Sequence, residues 1–178
     1  MFRLEFDGLF RELEDRPSAG IMCYGWRILQ KRKIMAHGHG TFASGLWANS
    51  NAAEYLALIE GLEALVDMRL EHERILVCGD SKSVIRQMQG TAGVSSASVK
   101  PLYRKARSLA DEFDRLRWNW LPREQNRAAD ALSRVALRLV HVDMQGYEAL
   151  LERLRMSKTP TTAMLDVGGL CVYMPARM

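Results

Sequence analysis

The chain has 178 residues, 48% hydrophobic and 26% charged, which suits one compact domain with an appendage. No apolar run is long enough to span a bilayer and no charged-then-apolar leader follows Met1, so the composition points to a cytoplasmic protein without a membrane partner. A net charge of +4 and a pI near 9.1 are compatible with a polyanionic partner without requiring one.

In chain order, Phe2, Leu4 and Phe6 alternate with Arg3, Glu5 and Asp7, the period of a strand buried on one face. Gly8 follows, so Asp7 stands at the end of a rigid mount with open space in front of it. Residues 9–19 read as a polar connection containing Pro17, Gly20 to Leu29 as a strand, and Ile34 to Phe42 as a third, after the charged turn Gln30 to Lys33.

The period then changes. Tyr55, Leu58, Ile59, Leu62, Leu65 and Val66 fall on one face of a helix over Asn51 to Met68, capped by Asn49 or Ser50, with Glu54 near its start. Arg74 to Gly79 is a short buried strand ending at Asp80, and Ser81 to Met88 a short helix. A small-residue loop over Gly90 to Ser98 leads to a helix opened by Pro101, whose Leu102, Ala106, Leu109, Ala110 and Phe113 face inward. Leu116 to Leu121 is a strand in which Trp118 and Trp120 point to the same side, as core residues would. After the loop Pro122 to Gln125, a helix runs from Asn126 to about Val140 with Ala129, Leu132, Ala136 and Leu139 inward.

These elements predict an α/β fold, a mixed five-stranded sheet flanked by helices, over residues 1–140. Residues 141–178 form a C-terminal extension of unknown role. It contains an amphipathic helix over Asp143 to Met156, a hinge over Ser157 to Thr162 and one late strand over Leu165 to Met174. The expected state is a monomer, with dimerisation through the extension as the alternative. Cys23, Cys78 and Cys171 have neither metal-knuckle nor disulfide spacing and read as buried free thiols. His37 and His39 flank Gly38 in a glycine-rich strand, a poor setting for a metal site.

Four acids stand out against this map. Asp7 and Asp80 end strands, and Glu54 and Asp130 lie near helix starts, so all four can meet at the carboxyl edge of the sheet, where ligand sites lie. Packed carboxylates repel one another, and burying them calls for cations; hard divalent ions, Mg²⁺ or Mn²⁺, suit oxygen ligands. Two such ions about 4 Å apart are a device for phosphodiester cleavage. Taken singly, Glu54 is equally an acid favoured by the helix dipole, and Asp130 an ion partner for Arg127 or Arg134. The arginines and lysines Lys100, Arg104, Lys105, Arg107, Arg123, Arg127, Arg134 and Arg138 read either as a phosphate-binding surface or as the solvated faces of two helices.

Five segments in order and register resemble type 1 ribonuclease H, in the branch without a basic protrusion that is common in archaea and bacteria. They are Phe6-Asp-Gly-Leu9, Ala19-Gly-Ile-Met-Cys-Tyr-Gly-Trp26, Asn51-Ala-Ala-Glu-Tyr-Leu-Ala-Leu58, Val77-Cys-Gly-Asp-Ser-Lys82 and Pro122-Arg-Glu-Gln-Asn-Arg-Ala-Ala-Asp-Ala-Leu132. The resemblance implies the ribonuclease H-like fold and a metal-dependent endonuclease that cuts the RNA strand of RNA–DNA hybrids, leaving 5′-phosphate and 3′-hydroxyl ends. It implies a catalytic, metal-binding quartet of Asp7, Glu54, Asp80 and Asp130 holding two Mg²⁺ or Mn²⁺ ions. Asp7 would bridge both ions, Glu54 and Asp80 would complete one, and Asp130 would help hold the ion carrying the attacking water.

It further implies substrate contacts by Gly8, Asn49, Ser50, Asn51, Arg123 and Asn126, with Asn51 reading the minor-groove side where 2′-hydroxyls mark RNA. Two departures stand out. Arg16-Pro-Ser-Ala-Gly20 replaces the family's Asn-Pro-Gly, and the loop Pro122 to Gln125 has no histidine, so Arg123 or Glu124 would serve in its place. The alternatives are a non-catalytic nucleic-acid-binding module of the same fold and a related nuclease acting mainly on DNA.

Overall fold

The structure is a computed structural model that describes residues 1–13, 16–44, 48–142, 164–167 and 170–173. Its strands are β1 (Phe2–Leu13), β2 (Arg16–Gln30), β3 (Lys33–Ser44), β4 (Arg74–Gly79), β5 (Arg115–Trp120), β6 (Met164–Val167) and β7 (Leu170–Tyr173). The helices are α1 (Ser50–Asp67), α2 (Lys82–Met88), α3 (Lys100–Ala110) and α4 (Arg127–Val142), with one 3-10 turn over Arg123–Gln125.

The strands form one sheet in the order β5-β4-β1-β2-β3-β7-β6. β1 runs antiparallel to β2 and parallel to β4, β3 is antiparallel to β2, and β5 is parallel to β4. The first five strands are the mixed sheet expected from the sequence, with β1 at its centre.

Two strand assignments change. Residues 9–19 are largely strand: β1 continues to Leu13 and β2 begins at Arg16, so Leu9 pairs with Cys23 and Phe10 with Met22. The register passes from Glu12↔Gly20 to Leu13↔Arg16, leaving residues 17–19 as extras in a bulge. A bulge is where a strand tolerates Pro17, which has no N–H to give the ladder. Cross-strand hydrogen bonding, invisible to a period test, extends both strands. The expected single late strand is instead a hairpin, β6 paired antiparallel with β7, and β7 adjoins β3 through Thr41↔Val172. The expected helix over 143–156 and hinge over 157–162 lie outside the described residues.

The strand period of two separates the faces of the sheet. Leu4 and Phe6 point toward α1, where a side-chain carbon on Gly61 would lie 2.7 Å from Leu4. With Tyr55, Leu58, Leu62, Leu65, Leu102 and Ala106 they form the main core. α4 covers the other face, over β1, β2 and β3. A Cβ on Gly25 of β2 would sit 2.5 Å from Ala129 O and Ser133 N, so the bare glycine lets the helix lie directly on the strand. The buried stripe of α4 is Ala129, Ser133 and Ala136, whereas Leu139, expected to face inward, is 43% exposed. Trp120, likewise expected in the core, is 42% exposed at the end of β5. Among the described residues no helix is long and apolar enough to cross a membrane. Cys23 and Cys78 are buried free thiols, and the Cys171 side chain is outside the described set.

Candidate active site

Asp7, Glu54 and Asp80 converge where β1 and β4 approach α1, each offering a carboxylate oxygen within 4.8 Å of the others. Asp7 reaches this place from the α4 side of β1 and is 5% exposed. Its Oδ2 accepts from the Ser133 hydroxyl at 2.5 Å, and the same hydroxyl lies 2.9 Å from the backbone carbonyl of Asp130. Glu54 arrives from α1. It sits past the first turn of that helix, so the burial it shares with Asp7, rather than the dipole, governs its chemistry. Gly8 N–H donates to Glu54 Oε2 at 3.2 Å, and a Cβ on Gly8 would stand 2.2 Å from Glu54 N. Glycine is therefore required at residue 8 by the approach of α1 to β1.

Asp80 is held at two points. Asn126 Nδ2 donates to Asp80 Oδ1 at 3.0 Å and to Phe6 O at 2.9 Å, and Trp120 Nε1 donates to Asp80 O at 3.0 Å. The Lys82 ammonium lies 5.5 Å from the centre of the Trp120 ring, a cation–π contact beside the carboxylates. Asn126, expected at the substrate, is wholly buried, and its amide anchors β1 to the turn after β4.

Asp130 stands apart from the three-carboxylate group. Its Oδ1 pairs with Arg123 at 2.9 Å and its Oδ2 with Arg134 at 2.7 Å. The i,i+4 partner is thus Arg134; Arg127 makes no ion pair with it among the described residues. Asp130 remains close enough to Asp7 to raise the latter's pKa.

The electrostatics follow from this packing. Burial, and then the charges of Asp80 and Asp130, push the Asp7 carboxyl up to about 6 against the pull of the Ser133 hydrogen bond. Glu54 is pushed well above the usual carboxylate range by burial and by Asp7 and Asp80, with the Gly8 N–H opposing. Asp130 is held low by its hydrogen bond from Arg134, with Arg123 adding to the effect. Two buried carboxyls strained against ionisation beside a third are what an oxygen-ligated divalent cation relieves. The donor set, all carboxylate oxygen, suits a hard ion.

The remaining expected contacts lie around the rim. Asn49 caps α1 by accepting from Ala52 N at 2.9 Å, Ser50 is exposed at its first turn, and Asn51 Oδ1 accepts from Ser83 Oγ at 2.8 Å. Arg123 is exposed and paired with Asp130. Three features escaped the sequence reading: Ser133, the anchoring by Asn126, and the Trp120–Asp80 bond. A lone hydroxyl in an otherwise alanine stripe, three residues after Asp130, is the signal that would have found Ser133.

A sheet of this order, with carboxylates gathered where its central strand meets α1, defines a ribonuclease H-like α/β protein. Residues 5–136 match the family described as reverse transcriptase-like, and the chain belongs to that family, on its type 1 ribonuclease H side. It is similar to the crystal structure of RNase H1 from the halophilic archaeon Halobacterium salinarum NRC-1, with 32% identity and a TM-score of 0.67 over 77% of this chain and 97% of that one. It is also similar to LC11-RNase H1, solved in complex with an RNA/DNA hybrid, with 26% identity and a TM-score of 0.70 over 79% of this chain and 99% of that one. A curated bifunctional protein of Mycobacterium tuberculosis H37Rv is 38% identical over 90 residues, 51% of this chain, and this chain spans only 24% of that relative's length.

Proposed function

We propose that the chain is a metal-dependent endonuclease that hydrolyses the RNA strand of RNA–DNA hybrids. The observation that carries this reading is the set of Asp7, Glu54 and Asp80 oxygens within 4.8 Å of one another. The likeness to LC11-RNase H1, whose structure includes an RNA/DNA hybrid, supports the choice of substrate.

Asp7, Glu54 and Asp80, with Asp130 beside them, are the residues that would hold two Mg²⁺ or Mn²⁺ ions. Bound there, such ions supply Lewis acidity to the phosphodiester and a more acidic water. The chain's own groups do the rest. Asp7, on the central strand and acted on by the charges of both Asp80 and Asp130, is the carboxylate that both ions would share. Asn126 and Trp120 hold Asp80 in place, and Gly8 N–H orients Glu54. Arg123 and Arg134 balance the charge of Asp130 until substrate phosphate competes for them. Asn49, Ser50 and Asn51 present the α1 start to the hybrid, with Asn51 on the side where 2′-hydroxyls are read.

One observation favours a second reading, a non-catalytic nucleic-acid-binding module: both oxygens of Asp130 are occupied by arginines. Cleavage of an end-labelled hybrid with Mg²⁺ or Mn²⁺, beside duplex DNA and duplex RNA, separates the readings. Metal-dependent cutting of the hybrid's RNA strand, lost in Asp7→Asn, is the expected result. A folded protein that binds hybrid and cuts nothing would establish the module, and cutting of DNA would establish the DNA nuclease.

A further inference from the structure

We infer that Ser133 is a positioning residue for the candidate metal site, locking the Asp7 carboxylate in its ligating orientation; this rests on the nuclease reading above. Ser133 is wholly buried, and its hydroxyl lies 2.5 Å from Asp7 Oδ2, the short end of hydrogen bonds to a charged oxygen. The contact joins residues 126 positions apart in the chain.

The contact is built by the fold. Asp7 and Gly25 are opposite one another in the β1–β2 ladder. A Cβ on Gly25 would lie 2.5 Å from Ser133 N, so α4 rests on the strand at the position beside Asp7. At that spacing a two-atom side chain spans the gap. The hydroxyl also lies 2.9 Å from the Asp130 carbonyl, a second acceptor competing for its single proton. With alanine at residue 133, no donor replaces it: among the described residues the Asp7 carboxylate has no other hydrogen-bond donor. The carboxylate would then be free to rotate, and ligation would have to restrain it. Groups that orient a ligand in this way typically govern metal affinity by about 10- to 100-fold.

The test is a calorimetric titration of the full chain with Mn²⁺ alone, without nucleic acid, for wild type, Ser133→Ala and Ala136→Gly. Ala136 lies in the same buried stripe of α4 and touches none of the acids' hydrogen bonds, so its replacement reports helix loosening alone. We expect Ser133→Ala to weaken Mn²⁺ binding about tenfold or more. Ala136→Gly should lower the melting temperature while keeping Mn²⁺ affinity within about twofold of wild type. Equal affinity for wild type and Ser133→Ala, with Mn²⁺ bound by both, would overturn the role of Ser133 and leave the nuclease reading standing. Equal weakening by Ala136→Gly would reduce Ser133 to a packing residue. Wild type that takes up no Mn²⁺ would overturn both.

Discussion

Gly8 and Glu54 meet backbone to side chain: the Gly8 N–H donates to Glu54 Oε2 at 3.2 Å, in a space where a Cβ on Gly8 would stand 2.2 Å from Glu54 N and 2.3 Å from Ala53 C. The atoms in the way are the backbone of α1, which cannot swing aside as a side chain can. Gly8→Ala should therefore push α1 off β1 and destabilise the protein by about 2–3 kcal/mol, as overpacked interiors do. Denaturant unfolding measures it, and a change below about 0.5 kcal/mol would show that the close approach is not rigid.

Asp7→Asn should have opposite effects on stability and activity. With the Asp7 carboxyl pushed up from 3.8 to about 6, the ionised residue is a net burden on the metal-free fold at neutral pH. Removing its charge should stabilise the metal-free protein by about 1–3 kcal/mol, from roughly 1.4 kcal/mol per unit of pKa displacement less the altered Ser133 bond. Hybrid cleavage should fall below detection in the same variant. Thermal melts in chelator, run beside the cleavage assay, check both halves.

The pH dependence follows from the same shifts. A carboxyl raised in the folded state makes a penalty that is full above its folded pKa and disappears as pH falls toward its unfolded one. Asp7 at about 6, Glu60 at about 7 and the raised Glu54 all act in this sense. His39, lowered by burial and by His37, opposes them below its unfolded value of 6.5. The metal-free protein should therefore gain stability on going from pH 7.5 to about 5, and Asp7→Asn should gain less. Saturating Mg²⁺ or Mn²⁺ should raise the melting temperature at pH 7.5 far more than at pH 5, where protons compete for the same oxygens. A metal-free melting temperature that falls steadily over this range would contradict the assignment.

Asn126 joins β1 to the turn after β4 through one amide group, bonded to Phe6 O and Asp80 Oδ1. Asn126→Ala leaves the Phe6 carbonyl without that donor in a buried place, a loss of about 1–3 kcal/mol. Asn126→Asp keeps the shape but sets a carboxylate against Asp80, and it should be the more damaging of the two at pH 7.5. Unfolding free energies of the two variants rank them, and the reverse order would mean that the Asp80 contact is not formed.

Much of the site was legible before the fold was known. The alternation of Phe2, Leu4 and Phe6 marks a half-buried strand, and the spacing from Tyr55 to Leu65 marks the helix that covers it, because both are periodicities of neighbouring residues. Hydrophobic burial on these periods, with Gly8 and the turn residues, brings Asp7, Glu54 and Asp80 to one end of the sheet. Sequence alone thus determined the five strands of a mixed sheet and the acids Asp7, Glu54, Asp80 and Asp130, three of which the fold gathers, while the order of the strands in the sheet came from the tertiary structure. The tertiary structure decided what depends on partners far apart in the chain. It lengthened β1 and β2 through their mutual ladder, exposed Trp120 and Leu139, buried Asn126, and paired Asp130 with Arg123 seven residues before it. It also set Ser133 against Asp7 across 126 positions. A hydroxyl or an amide carries no period of its own, and its role is decided only when packing brings an acceptor within hydrogen-bond reach.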